Sequence, residues 1–401
     1  MATQVKHPIW LPALGSPGAG TFASLYAIES FARALLSSVV PIQAYDLLRS
    51  EQKVSLLYTC VSVFALLITL TTPLLLRTFA RRWVYSMGAA LLIAAAAALA
   101  THTLTGQVIG QLCRSAGAGA LALGLNLYIM DHIHKTKFMQ SESLRMAWST
   151  LGWTIGPAAG VALYTRLGLA APYAASAVCS IALLALFWFY RLSENTAIRA
   201  GGKAKQEVNP LRSVGRFLSQ PRLRLAWLIA FGRSCFWSTF FVYGPILMVV
   251  SGQGSFAGGL LVSAGNAMLF CALFWGRIGR RFGARRVMSL AFAGMTAGLL
   301  AAGACGEGLP LLAAVFLLAC TVFTIALDAI GSTAFFRAVR PRERAEMTGV
   351  YRTYLDLSEL MPPLVYSIVL AFFGIGAVFA TLGLFCAVCG VICWRYLPKS
   401  M

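Results

Sequence analysis

Apolar residues in this chain do not alternate with polar ones at the two-residue period of a strand. They run together in stretches of roughly 20, the length a helix needs to cross the hydrocarbon of a bilayer. Such stretches recur twelve times, near 20–42, 53–76, 83–101, 106–130, 143–165, 168–190, 223–250, 255–277, 286–304, 309–336, 346–372 and 374–396. Short polar gaps separate them, and one long gap, 191–221, divides six from six. The pattern predicts an all-α membrane protein of 12 transmembrane helices in two six-helix bundles, residues 1–190 and 222–401, joined by a linker over 191–221. The linker opens on the flexible, basic AIRAGGKAKQE and closes on NPLRSVGRFLSQP, where Asn209 and Pro210 signal a helix start. Leu211, Val214, Phe217 and Leu218 share one face of that helix, and Arg212 and Arg216 another. A short amphipathic helix lying on the inner membrane surface is therefore expected.

The polar positions inside the spans are few and patterned. Glu29, Arg33, Arg114, Arg233, Asp328, Arg352, Asp356 and Glu359 all fall within apolar runs. Each costs about 3 kcal/mol at a helix centre unless it faces a partner or water. Helical spacing gathers them into stripes. Tyr26, Glu29, Ser30, Arg33 and Ser37 line one face of the first span; Thr321, Thr324, Asp328, Ser332 and Phe335 line one of the tenth; Arg352, Asp356, Glu359 and Pro363 line one of the eleventh. In the seventh, Arg233, Trp237 and Gly244 align. Glu29–Arg33 and Arg352–Asp356 stand four residues apart, so each is either a local neutralising pair or part of a pathway. Taken as a set, intramembrane charges point to a translocation pathway.

Composition and charge sharpen this picture. Only 11% of residues are charged and 59% are hydrophobic, against roughly 25% charged in soluble domains. The net charge of +20 would suggest nucleic acid in a soluble protein, but the basic residues sit in the short gaps between spans. With both termini on one side, that side collects 25 Lys and Arg, while the other holds only Arg49, Lys53 and Arg166. This asymmetry places both termini in the cytoplasm and excludes nucleic acid as a partner. A cleavable leader is not expected, because Pro8, Pro12 and Gly15 leave no compact apolar core before the first span begins near Thr21.

Ten cysteines lie in or beside apolar runs, and Cys386, Cys389 and Cys393 read as small helix-packing residues. The DHIH run at 131–134 ends a span without further ligands, so no metal and no cofactor is expected. No nucleotide-binding loop, catalytic triad or metalloprotease motif occurs, which argues against an ATP-driven pump or an enzyme.

An internal repeat ties the two halves together. Between the eighth and ninth spans stand Gly276, Arg280, Arg281, Gly283, Arg285 and Arg286. Between the second and third, 203 residues earlier, Pro73, Arg77, Phe79, Ala80 and Arg82 stand opposite Gly276, Arg280, Phe282, Gly283 and Arg285. Over the whole chain the sequence resembles the major facilitator superfamily, whose signature occupies these two loops: a glycine, an acid four residues on, then glycine and basic residues. The glycines would allow a tight reversal, and the arginines would anchor the loop to anionic headgroups. The family's acid is replaced by Arg77 and Arg280. Pairing of these with Asp131, Glu142, Glu343 or Glu346 would be a substitute; solvated loop charges are the alternative.

Two further stretches carry the resemblance. GWTIGPAAG in the fifth span, with Gly152, Gly156, Pro157 and Gly160, is similar to the family's signature of exporters that exchange substrate for protons. Its physics is a proline bend with small residues that admit a neighbouring helix. Met361-Pro362-Pro363 stands in the corresponding place of the eleventh span. In CRSAGAGA, Arg114 resembles the family's intramembrane arginine, with the glycines displaced by one residue.

The resemblance implies a secondary active transporter, a proton-driven exporter of a small organic molecule working by alternating access. A proton symporter of the same fold and a non-transporting receptor or scaffold are the alternatives. The proton site is expected at Glu29 or Asp328, with Asp356 and Glu359 ranked below them. Arg33, Arg114, Arg233 and Arg352, with Tyr26 and Trp237, are expected to meet acidic substrate groups or to balance the carboxylates. The expected partners are a substrate, protons and the lipid bilayer, for a monomer in a plasma membrane, the inner membrane of a bacterium. On this topology Lys203→Cys, in a background without native cysteines, should escape an impermeant maleimide added outside intact cells. It should label after permeabilisation; labelling of intact cells would reverse the orientation.

Overall fold

A long apolar run in hydrocarbon has one low-energy solution, a helix that satisfies every backbone group internally. The computed structural model describes residues 19–78, 80–132, 138–190, 210–339 and 343–398, and among them no strand occurs. In the first half the helices are α1 (Ala19–Leu35), α2 (Val39–Leu48), α3 (Glu51–Thr78), α4 (Arg81–Leu99), α5 (Leu104–His132), α6 (Phe138–Arg166) and α7 (Ala171–Phe189). A short α8 (Pro210–Leu218) precedes α9 (Pro221–Val250), α10 (Ser255–Ala267), α11 (Ala272–Phe282), α12 (Ala284–Cys305), α13 (Pro310–Ile330), α14 (Ser332–Ala338), α15 (Arg344–Tyr351), α16 (Thr353–Val369) and α17 (Gly376–Tyr396). Each of the twelve expected spans is met by a helix or by two helices in series.

The pairs in series are what the hydrophobic pattern did not foresee. The first span breaks at Leu36–Ser38 between α1 and α2, and the eighth passes through a 3-10 stretch, Met268–Cys271, between α10 and α11. The tenth breaks at Gly331, and the eleventh at Arg352. Nine helices, in places two in series, are long and apolar enough to cross a membrane among the described residues. The other three expected spans are α6, α10–α11 and α15–α16, the fifth, eighth and eleventh. The eighth is apolar but short, Ser255–Cys271. For the fifth and eleventh a reason lies in packing, since α6 lies against α10 and α16 against α3, so that both face the opposite half as well as lipid. Protein contact relaxes the demand for an apolar surface.

The repeat in the sequence is a repeat in packing. The third span touches the fourth and sixth (α4 with α5 and α7), as the ninth touches the tenth and twelfth (α12 with α13 and α17). The first touches the fifth (α1 with α6), as the seventh touches the eleventh (α9 with α16). The halves are joined toward the end that carries Arg49, away from the linker. There Ser55 and Tyr243 share a hydroxyl hydrogen bond of 2.6 Å, and α2 packs on α9. The Ala158 N–H, just after Pro157, donates to Ser263 Oγ at 2.9 Å across the same seam. Large apolar side chains such as Phe64, Val178, Ile181, Phe270, Phe274, Val315 and Val391 are exposed, as suits a surface that faces lipid.

In α8, a helix as expected, Phe217 is buried with the core of the second half, while Val214 and Leu218 are exposed. The stretch 191–209, with Asn209, and the side chains of Leu211 and Arg212 lie outside the described residues. The loop motif needs correction. Gly276 is not part of the reversal; it sits inside α11 with open space around it. The reversal belongs to Gly283, whose φ of 86° suits glycine, and in the first copy to Ala80 in an extended conformation. Arg285 was expected at headgroups. Instead its Nε donates to the Trp394 carbonyl at 3.0 Å, with its guanidinium 4.9 Å from the Trp394 ring. The side chains of Arg77, Arg280, Asp131, Glu142 and Glu346 lie outside the described residues, as does His134.

The fifth-span glycines have a steric role. Gly152 lies against Phe31 and Gly156 against Ala34, and a Cβ on Gly160 would run into the Leu35 carbonyl oxygen. α6 stays helical through Pro157. Gly160→Ala should therefore destabilise the protein by about 1–3 kcal/mol, the cost of overpacking. Gly276→Ala, with nothing within 4 Å of the added atom, should leave thermal unfolding unchanged. Equal midpoints for the two variants would remove the close-packing role from Gly160.

Candidate translocation site

The first-half wall begins on α1. Glu29 is fully buried and accepts a hydrogen bond from Arg33 Nη1 at 3.2 Å, the local pair that their spacing allows. Its Oε2 has no hydrogen-bond partner. Ser30 accepts from Ser149 Oγ of α6 at 3.0 Å. Arg145, also on α6, acts through space on Glu29, donates to Asn126 Oδ1 at 2.8 Å and lies 4.6 Å over the Tyr26 ring. Arg145 was not among the expected residues. Its signal was present: Arg145, Ser149, Gly152, Gly156 and Gly160 follow one helical stripe, the stripe that faces α1.

Arg114 of α5 is the exception on this wall. The charges that act on it are those of Arg33, Tyr58 and Glu359. Among the described residues it makes no ion pair within 4 Å, and its Nε, like those of Arg33 and Arg233, is buried without a hydrogen-bond partner. What sets it apart from Arg33 and Arg233 is the missing carboxylate, since a buried charged donor left unmade costs about 1–3 kcal/mol or more.

The second-half wall is a closed network. Arg233 Nη1 of α9 donates to Asp328 Oδ1 of α13 at 2.6 Å, and Trp237 Nε1 donates to Asp328 Oδ2 at 3.0 Å. Arg233 Nη2 donates to Tyr354 OH at 3.2 Å, with the guanidinium 5.5 Å from that ring. Both carboxylate oxygens of Asp328 are thus used, which settles where the seventh- and tenth-span stripes meet. Aromatic rings bridge the walls: Trp153 of α6 lies 5.3 Å from Phe241, which lies 5.7 Å from Trp237.

The eleventh span supplies the remaining charges. Arg352 is exposed at the break between α15 and α16 and acts through space on Asp356, without an ion pair between them among the described residues. Glu359 is exposed, and the charges acting on it are Asp356, Arg33 and Arg114. Two of those three lie on α1 and α5, so Glu359 looks across interior space at the opposite wall. Its partners were invisible in its own helix because they belong to the other half. Its backbone carbonyl accepts from Ser62 Oγ of α3 at 3.0 Å, which pins this turn of α16 to the first half. No group of three or more potential metal ligands occurs among the described residues.

This arrangement can bind, neutralise and release charge between two helical walls. Comparison with solved structures places it in context. A peptide transporter, POT, in complex with sulfate is 14% identical with a TM-score of 0.72, over 94% of this chain and 94% of that one. A POT family transporter in complex with 5-aminolevulinic acid is 13% identical with a TM-score of 0.74, over 96% and 97%. A D-xylose–proton symporter is 12% identical with a TM-score of 0.71, over 95% and 98%. These likenesses establish a shared fold. A search of curated proteins gives no match. The profile of the Major Facilitator Superfamily, however, matches residues 22–272 and 254–400. With the repeat, the paired walls and the family profile in agreement, this multi-pass membrane protein belongs to the Major Facilitator Superfamily.

Proposed function

We propose that the chain is a proton-coupled secondary active transporter of a small organic molecule, moved by alternating access between its two helical halves. The observation that carries this reading is Glu359, a carboxylate of the second half whose facing cations, Arg33 and Arg114, belong to the first. A coupling group must exchange its surroundings as the halves rock. Glu29 is bound to Arg33 on its own helix, and Asp328 to Arg233 and Trp237 within its own half. Both pairs would travel as parts of a rigid half. Glu359 would not, and it therefore ranks first as the proton site.

Export in exchange for protons is the direction that the fifth-span motif implies, and it requires substrate and proton to compete for one carboxylate. Co-transport is the second reading, and one observation favours it: of the two cations facing Glu359, Arg114 has no ion pair among the described residues, and protonation of Glu359 would bare it. The proposed location is a bacterial inner membrane, with the linker in the cytoplasm and the charged walls accessible from that side.

Comparing metabolites in cells with and without the protein identifies the substrate, and vesicles then give the direction. An antiporter accumulates it in inside-out vesicles with an acid lumen; a symporter does so in right-side-out vesicles with acid outside. Glu359→Gln should abolish pH-driven accumulation in either case and retain substrate exchange. Arg233→Leu should destabilise the fold by about 1–3 kcal/mol, since it leaves the half-buried Asp328 with only Trp237 as a donor. Unchanged pH-driven accumulation by Glu359→Gln, with loss of it in Glu29→Gln or Asp328→Asn, would move the proton to those residues. Absence of gradient-driven flux in wild-type vesicles would leave the receptor reading.

A further inference from the structure

The arginines around the interior are not equivalent. Arg33 is held by Glu29, and Arg233 is held by Asp328 and Tyr354. Arg352 stands near Asp356 at the exposed break of the eleventh span, and Arg145 is bonded to Asn126 and stacked on Tyr26. Among the described residues Arg114 and Arg352 make no side-chain hydrogen bond or ion pair; Arg352 is exposed, whereas Arg114 is half-buried and its Nε has nothing to donate to. The carboxylate that acts on it from across the interior, Glu359, approaches without forming a bridge.

A guanidinium is always charged and offers donors in a planar fork that matches an oxyanion in two places. Burying it without partners is tolerated only where a ligand or water completes it. The rings of Trp153, Phe241 and Trp237 are half-buried and run from one wall to the other, a surface for a flat apolar body. A cationic substrate fits poorly here, because Arg33 and Arg114 both act on Glu359.

We propose that the site binds an organic monoanion, an oxyanion on an aromatic body, with its acid group on Arg114 in the place where Glu359 otherwise supplies the counter-charge. The inference rests on the transport reading above and deepens it by naming the substrate class. It has a consequence for direction. Neutral Glu359 leaves Arg114 to the anion, while ionised Glu359 competes with it. Proton and anion then load together, which is the logic of co-transport.

Binding to the purified full-length protein tests this apart from flux. Benzoate, benzenesulfonate and phenylphosphonate are the oxyanion probes, and benzylamine is the cationic control, each read by the shift in thermal unfolding. At least one oxyanion should stabilise the wild type, and benzylamine should not. Arg114→Gln should weaken that oxyanion about tenfold or more, the loss expected with one charge-assisted hydrogen bond, and Arg114→Lys should recover part of it. Glu359→Gln, which removes the internal competitor, should tighten it severalfold, a result that stands even if Arg114→Gln fails to fold. Stabilisation by benzylamine alone, by no oxyanion, or by an oxyanion indifferent to both variants overturns the proposal. If an oxyanion binds through Arg114 while a proton gradient drives no flux of it, the transport reading fails and the anion site stands. If a gradient drives benzylamine flux that ignores Arg114→Gln, the anion site fails and transport stands.

Discussion

An ionised side chain inside a bilayer must be met by an opposite charge, a ring face or water, and this single demand organises the interior of the protein. Removing a lone arginine or carboxylate from water costs several kcal/mol even after the surroundings relax. The protein answers in two ways. Glu29 with Arg33, and Asp328 with Arg233 and Trp237, are closed within one half and can move without changing their bonds. Arg114 and Glu359 are left incomplete and look at each other across the seam. A pair of this second kind is sensitive to the relation between the halves, because its neutralisation depends on that relation.

The fold was legible because the signal that specifies it is long. Some twenty apolar residues, twelve times over, leave little freedom in hydrocarbon, and a 203-residue repeat says that the second half is built like the first. The breaks at Leu36–Ser38, Met268–Cys271, Gly331 and Arg352 were not legible. Hydropathy averages over some five turns of helix, whereas a break spans two or three residues whose backbone groups are satisfied by packing. The site was legible in proportion to how local its contacts are. Glu29–Arg33 could be seen from i, i+4 spacing alone. Arg233–Asp328 could be placed only as facing stripes, since 95 residues separate the two. Glu359 was undervalued, because its cations stand on α1 and α5, far away in the chain.

The less apolar fifth and eleventh spans show why polarity and function coincide here. A helix wholly surrounded by lipid has no use for glycine stripes or carboxylates. α6 and α16 lie against the opposite half, and each carries a proline where the halves meet. At Pro157 a helical carbonyl has lost its usual donor, and the next N–H, that of Ala158, reaches Ser263 on the other half. The glycines at 152, 156 and 160 bring α1 close enough that the Glu29–Arg33 pair is held against α6. Small residues and charges therefore belong to one design: the first permit the approach that lets the second be buried.

The loop motif can be understood in the same terms. In the family it carries an acid where this chain has Arg77 and Arg280, so the neutralising role in these loops cannot be filled from within the motif. The described contacts run toward the last span of each half instead. Arg285 donates to the final-turn carbonyl of Trp394, where the helix dipole is negative, and covers the Trp394 ring. In the first copy Arg82 lies 5.9 Å from the Trp83 ring, Trp83 packs on Trp188, and Trp188 Nε1 donates to Ser86. Both loops are thus fastened sideways, third span to sixth and ninth to twelfth, within their own half. Fastening within a half stiffens that half but does nothing to lock one half to the other. Locking must then come from contacts that cross the seam, such as Ser55–Tyr243, Ser62–Glu359 and Ala158–Ser263. All three are neutral hydrogen bonds, and one of them ends on the backbone of the residue whose charge faces Arg114. A change in the charge state of Glu359 is therefore felt in the same turn of helix that holds the halves together.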